Sequence, residues 1–354
     1  MNPNPNPNPN PTPSQANSKF LYVVNSIEET VLGFTINATT GALTQVGPAT
    51  PAGDAPIYAA AAPNGKFLYV ANGGTTSNNV SAYRIDPTTG VLTPTTPSTF
   101  KINGDSDPYG IVVDPSSTYL YTANAQSISA FRIDPTSGNL TDLAGTPVAV
   151  PGTTQVGTLA LTPDGQFLYA TDTLNDRVWM FSINSVGLPM RMPATVATGR
   201  NPIGIVVDAS GKFAYVANWI SNDVSAYTIT AGTGALVGAS STVQLEVGCS
   251  PQELATDPGS KFLFVSCAPL SKIAEFAIDS TTGKLTAMPS FSTGSFTAPR
   301  GIAVDASGQF VYSTWNMQDR AGSAAVGTNG AMTAVTGTPA TGRGPLGVAL
   351  AGRQ

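Results

Sequence analysis

Three arginines stand beside prolines that open apolar runs: Arg200 in "GRNP", Arg300 in "APRG" and Arg343 in "GRGP". A guanidinium presents a planar fork of donors that grips a carboxylate or phosphate through two parallel bonds. Carboxylates hold similar places. Asp54, Asp105 and Asp107 precede two further runs, Glu253 follows Pro251 by two residues, and Asp172 closes the segment "FLYATD". Glu253 with Asp54 or Asp172 would form an acid/base set, and the arginines would hold an anionic or sugar-like ligand, if the fold gathers them. The competing arrangement uses the same groups: they neutralise one another and fill a channel with ion pairs and water.

The missing residue types narrow the chemistry. The 354 residues include no histidine. That excludes Ser-His-Asp and Cys-His nucleophile systems and every His-ligated zinc or haem site. The two cysteines cannot build a metal site alone, so no metal and no cofactor is expected. With net charge −5 and no Lys/Arg run, nucleic acid is not an expected partner, because phosphate binding needs a clustered basic surface. No apolar stretch approaches the ~20 residues of a membrane span, and no signal-peptide core stands at the N-terminus.

The elements that must position these groups come from a repeat. "GKFLYVAN" (65–72) returns as SKFLYVVN (18–25), STYLYTAN (117–124), GQFLYATD (165–172), GKFAYVAN (211–218), SKFLFVSC (260–267) and GQFVYSTW (308–315). The fifth-position aromatics at 22, 69, 121, 169, 215, 264 and 312 are 46 to 52 residues apart. Such a period with four strand-like segments per unit indicates propeller blades. In the second unit these are "PIYAAAA", "KFLYVAN", "NVSAYRI" and a short outer "VLTPT" (91–95), with the turn "DPTTG" before the last. Inner strands begin at Pro56, Pro108, Val156, Pro202, Pro251 and Pro299, thirteen residues before each aromatic, and the first unit lacks one. "PLGVAL" at 345–350 supplies it. The expected fold is therefore all-β: a seven-bladed β-propeller over residues 18–352, closed by strand 345–350 pairing with 19–25. Residues 1–17, "MNPNPNPNPNPTPSQAN", read as a solvated polyproline-like spacer or a disordered tail.

The units, of the form P-x-G-I-x-V-D … F-x-Y-V-x-N … V-x-A-Y-x-I-D … T-G, resemble the seven-bladed lactonase family typified by bacterial 6-phosphogluconolactonase, and are similar to the related YVTN-repeat surface propellers. The resemblance covers residues 18–350. It implies a central polar site and hydrolysis of a sugar lactone. The family's fourth-blade histidine falls on Gly157, its Arg-His pair on Ile203 and Gly204, its glutamate on Trp219, and its P-R-G arginine on Arg300. Only Arg300 matches.

Two functions from different classes follow. One is a lactone hydrolase in which Arg200, Arg300 and Arg343 grip substrate while Glu253 assists water, with Asp54, Asp172 and Trp219 around the ligand. The other is a non-catalytic extracytoplasmic propeller that recognises a protein, a glycan or a small anion on its funnel face. Cys249 and Cys267 fall nearly opposite once the hairpin folds at "DPGS" (257–260), so a disulfide enclosing about 18 residues, worth roughly 3 kcal/mol, is the expectation. It would suit a bacterial periplasmic, surface or secreted monomer. The alternative is two buried thiols in a reducing compartment.

Overall fold

A computed structural model describes residues 18–353, apart from Thr75 and Thr154. The Asn-Pro segment expected to form a spacer lies outside the described residues. Seven antiparallel sheets follow one another around an axis. In the second to seventh blades the strands run outward in chain order, as in Pro56–Ala61, Phe67–Asn72, Asn79–Ile85 and Leu92–Lys101. Blade one differs as the sequence predicts. Its innermost strand is the C-terminal Pro345–Arg353, which pairs with Ser18–Asn25, placing Tyr22 opposite Ala349 and Val23 opposite Val348. The two chain ends therefore close the ring.

The core is not one mass but seven seams, each between neighbouring blades. Second strands are buried along their length, since a blade is covered on both faces; Phe67–Asn72 has no exposed residue. Polar staples cross the seams. Tyr22 donates its hydroxyl to the carbonyl of Gly90 in the next blade's outer turn at 2.8 Å, and Tyr69, Tyr121, Tyr169 and Tyr215 do the same to Gly138, Gly187, Gly234 and Gly283. The acceptor turn needs glycine. Gly90 has φ 76°, and a Cβ there would sit 2.4 Å from the Phe20 ring.

Three expectations about strand lengths change. The outer strand of blade two runs on to Lys101, because Pro94 and Pro97 lie on a free edge where no partner needs their missing N–H. The inner strands of blades three and six are short, Ile111–Val113 and Leu254–Thr256, instead of starting at Pro108 and Pro251. The segments before them stay beside the second strand through isolated bonds, Tyr109 N–H to Ala123 and Ser266 N–H to the Glu253 carbonyl. These two irregular starts carry the side chains that matter below.

The seam between blades six and seven departs from the pattern. The stapling tyrosine is replaced by Phe264, and opposite it, where the other blades have Gly33, Ala82, Ala130, Met180, Ala226 or Ser323, stands Glu275. Glu275 is 1% exposed, both its carboxyl oxygens lack a partner among the described residues, and desolvation pushes it up to about 7. This seam also has the smallest buried set, five residues. A carboxyl whose folded value exceeds its unfolded one stabilises most below the unfolded value, about 4.5, and loses that contribution as pH rises through about 7. The urea midpoint should therefore fall between pH 4.5 and 8 and stay flat above. Glu275→Gln, which carries no titrating proton, should reduce that slope; an unchanged slope would show Glu275 to be ionised throughout.

Candidate functional site

Each inner strand starts on the same face of the ring, here called the upper face, and presents two slots after its opening residue. The first slot carries Ile57, Tyr109, Gly157, Ile203, Gln252, Arg300 and Leu346, and the second Tyr58, Gly110, Thr158, Gly204, Glu253, Gly301 and Gly347. Glycine dominates the second slot because the next blade's backbone crosses there. A Cβ on Gly204 would lie 2.3 Å from the Gln252 carbonyl oxygen, and one on Gly301 would lie 2.3 Å from that of Leu346. The ladder is bulged at these starts in blades five and seven. Second-strand hydroxyls take over: Thr314 receives the Gly301 N–H at 2.9 Å and donates to Leu346 at 2.8 Å. Ser266 likewise receives the Glu253 N–H at 3.2 Å.

Where the slots hold polar side chains, those side chains meet. The Tyr58 hydroxyl, from blade two, donates to Glu253 Oε1, from blade six. Its ring stands edge-on to that of Tyr109 with centroids 5.2 Å apart. Arg300 Nη1 donates to Gln252 Oε1 at 2.5 Å, while Arg300 Nε is buried with no partner among the described residues. Glu253 is half-buried, and desolvation pushes it up to about 7; the Tyr58 hydrogen bond acts against that shift and is the smaller effect. Tyr58 is driven well above 10, first by burial and then by Glu253, so it stays a donor. Tyr109 is raised too, mainly by burial, with Arg300 opposing. The result is a carboxyl with a raised pKa, two phenols and an arginine whose Nε has no partner among the described residues, brought together at the inner-strand starts.

The other sequence candidates fall elsewhere. Arg200, Arg343 and Asp54 share a different slot, two residues before the opening proline, in loops of the upper face. Arg200 is exposed, Arg343 Nε pairs with Glu28 Oε1 at 3.4 Å, and Asp54 accepts from Thr76 Oγ1 at 2.6 Å. The three guanidiniums thus occupy two kinds of position: Arg300 in an inner strand, Arg200 and Arg343 in the loops before inner strands. Asp172 is a structural anchor: fully buried, it accepts from Arg177 Nε and Trp179 Nε1, both at 3.0 Å, and from Thr153 and Asn175. Glu253 therefore pairs with Tyr58 rather than with Asp54 or Asp172. Trp219 is 42% exposed in the loop after Asn218. Asp105 is held by Ser127 and Gln126. Tyr109 and Gln252 escaped the sequence reading, yet they occupy the register of Arg300 in P-x-G, so a polar residue at that "x" was the available signal. Cys249 and Cys267 form a disulfide in blade six. Among the described residues no cluster of His, Cys, Asp or Glu fits a metal ion, and no helix is long and apolar enough to cross a membrane.

A propeller with seven blades, a polar cluster on its axis and chain ends locked in one blade defines the class. The family described as "Lactonase, 7-bladed beta-propeller" matches residues 13–157, 97–250 and 248–346, and the chain belongs to this family. Among curated proteins, a 6-phosphogluconolactonase of Pectobacterium atrosepticum is 26% identical over 145 residues, 39% of this chain and 43% of that protein. The chain thus spans under half the length of that relative. Among solved structures, a putative 6-phosphogluconolactonase of Bacteroides uniformis superposes with TM-score 0.78 at 19% identity, covering 93% of this chain and 98% of that one. The periplasmic gluconolactonase of Pseudomonas aeruginosa gives 0.77 at 22%, covering 95% and 99%. At these identities the two structures speak for the fold.

Two substitutions separate axial chemistry from scaffold. Tyr58→Phe removes the donor that favours ionised Glu253, so the Glu253 titration should move above about 7 in carboxyl NMR. Asp172→Ala strands buried donors and should cost on the order of 3 kcal/mol in urea unfolding. It should leave the Glu253 titration where it was.

Proposed function

We propose that the chain hydrolyses a sugar lactone at the upper mouth of the axial channel. The observation that carries this reading is Glu253: a half-buried carboxyl bonded by Tyr58 and pushed up to about 7 by desolvation, in the blade next to an arginine whose Nε has no partner among the described residues. The family's histidine and glutamate positions, as the resemblance places them, hold Gly157, Gly204 and Trp219, so the acid/base group is assigned to another blade, where Glu253 stands. Ionised Glu253 takes a proton from water as the oxygen attacks the lactone carbonyl. Arg300 stabilises the resulting oxyanion. The ring C–O bond then breaks, protonated Glu253 returns its proton to the departing alkoxide, and the product is the open hydroxy acid. Tyr58, which keeps its proton, fixes the orientation of the Glu253 carboxyl. The names of the relatives, 6-phosphogluconolactonase and gluconolactonase, supply the substrate class. The disulfide supports an extracytoplasmic setting, because cytosolic thiols are kept reduced.

The second reading is a binding propeller, and one observation favours it. Leu174, Trp219, Ile220, Phe296 and Met317, all on upper-face loops, are 42–78% exposed. Phe296 is also held at φ 55°, a strained conformation for a large side chain. Exposed apolar groups gathered on one face suit a protein or glycan partner.

Proton release from a sugar δ-lactone, with and without a 6-phosphate and corrected for spontaneous opening, tests the enzymatic reading. Turnover should rise with pH to a plateau above about 7, as Glu253 ionises. Glu253→Gln should lower kcat by about 10²-fold or more, and Arg300→Ala by about 10²-fold. Rates equal to buffer for both lactones leave the binding reading in its place.

A further inference from the structure

In most blades the end of the second strand is tied down by an asparagine. Asn72, Asn124 and Asn218 each donate to a third-strand serine, Ser81, Ser129 and Ser225, at 2.9 Å. Asn72 also receives the N–H of Gly53 at 3.1 Å, which secures the loop leading into its inner strand. Blade six has neither partner. Cys267 replaces the asparagine and Ala274 replaces the serine. Cys249, in the slot that holds Asp54, Arg200 and Arg343 elsewhere, is bonded to Cys267, and both are buried. A covalent tie thus stands where the other blades use hydrogen bonds. It stands in one of the two blades whose inner-strand start lies outside the regular ladder. Both polar contacts of the axis hang from the residues just after Cys249: Gln252 holds Arg300, and Glu253 holds Tyr58.

We propose that the Cys249–Cys267 disulfide is a positioning clamp for the axial site, holding the 250–253 segment so that Gln252 and Glu253 face Arg300 and Tyr58 across the channel. This deepens the reading of the axis as a functional site. The groups facing Glu253 are Tyr58 and Tyr109, and Arg300 acts on Tyr109 from the next blade while holding Gln252. Without the tie the segment keeps only isolated bonds, such as Ser250 N–H to Asn222 at 2.9 Å and the Ser266 pair. More water then reaches the half-buried Glu253, and the desolvation that sets its proton affinity fades.

The test is a carboxyl titration by NMR on protein labelled with [13C]glutamate. The chain has five glutamates, Glu28, Glu29, Glu246, Glu253 and Glu275, and Glu253→Gln assigns the signal of interest. In the oxidised protein Glu253 should titrate near 7. After reduction, and in Cys249→Ser/Cys267→Ser, its midpoint should fall by a unit or more toward the ordinary carboxyl value. Glu275, in the same blade and clear of the clamp, should stay put and so report an intact fold. Combining Cys249→Ala, Cys267→Asn and Ala274→Ser rebuilds the asparagine tie and should restore the high midpoint. The proposal is overturned by an unchanged Glu253 midpoint in the reduced protein. It is equally overturned if Glu253 and Glu275 shift together, which would make the bond a general stabiliser. Lactone turnover, measured alongside, should fall at least tenfold in kcat with little change in KM. A chain that never turns over lactone refutes the proposed reaction and leaves the titration result standing.

Discussion

The ladder between Pro345–Arg353 and Ser18–Asn25 is the interaction on which the rest of the structure depends. A propeller blade buries both faces against neighbours, so an open array would expose two seams' worth of apolar surface. Here the last strand of the chain completes the first blade, and its Ala349 and Ala351 join Phe20, Tyr22 and Tyr83 in one buried cluster while Val348 and Leu350 face blade seven. Closure also gives the seven inner strands a common axis. Only then can Tyr58 of blade two touch Glu253 of blade six, 195 residues away in sequence.

The chemistry of the axis follows from packing density at the inner-strand starts. Four blades admit nothing larger than glycine in the second slot, because adjacent backbones approach too closely. Three blades break that rule, with Tyr58, Thr158 and Glu253. Thr158 stays structural, bonding the next blade's Ile203 carbonyl at 2.8 Å. The other two reach the channel and find one another. Burial is the stronger influence on Glu253, and its hydrogen bond is the weaker, which leaves the group near neutrality instead of fully ionised. Local rules are broken at such places when the surrounding fold over-determines them.

Fold and site differed in legibility. Seven aromatic-centred copies, the turn glycines and the missing first inner strand gave the ring and its closure from residue types alone, since each reflects a repeated packing demand. The P-x-G form also marked Glu253 as an exception, standing where four other blades carry glycine. Asp172 misled, because a carboxylate ending a second strand looks the same in sequence whether it faces ligand or buried Trp179 and Arg177. The pairing of Glu253 with Tyr58 was not readable, since it depends on the span across the ring. Arg200 and Arg343 looked equivalent to Arg300 in sequence, yet they stand in the loops before inner strands and Arg300 stands within one.

Amide hydrogen exchange across the closing strand tests the central claim most directly. If the ring is closed by the chain ends, the N–H groups of Val348–Ala351 open only with the blade itself, and they should exchange as slowly as those of Leu21–Val24. Exchange orders of magnitude faster at Val348–Ala351 than at Leu21–Val24 would contradict closure, and with it the common axis that brings Tyr58 to Glu253.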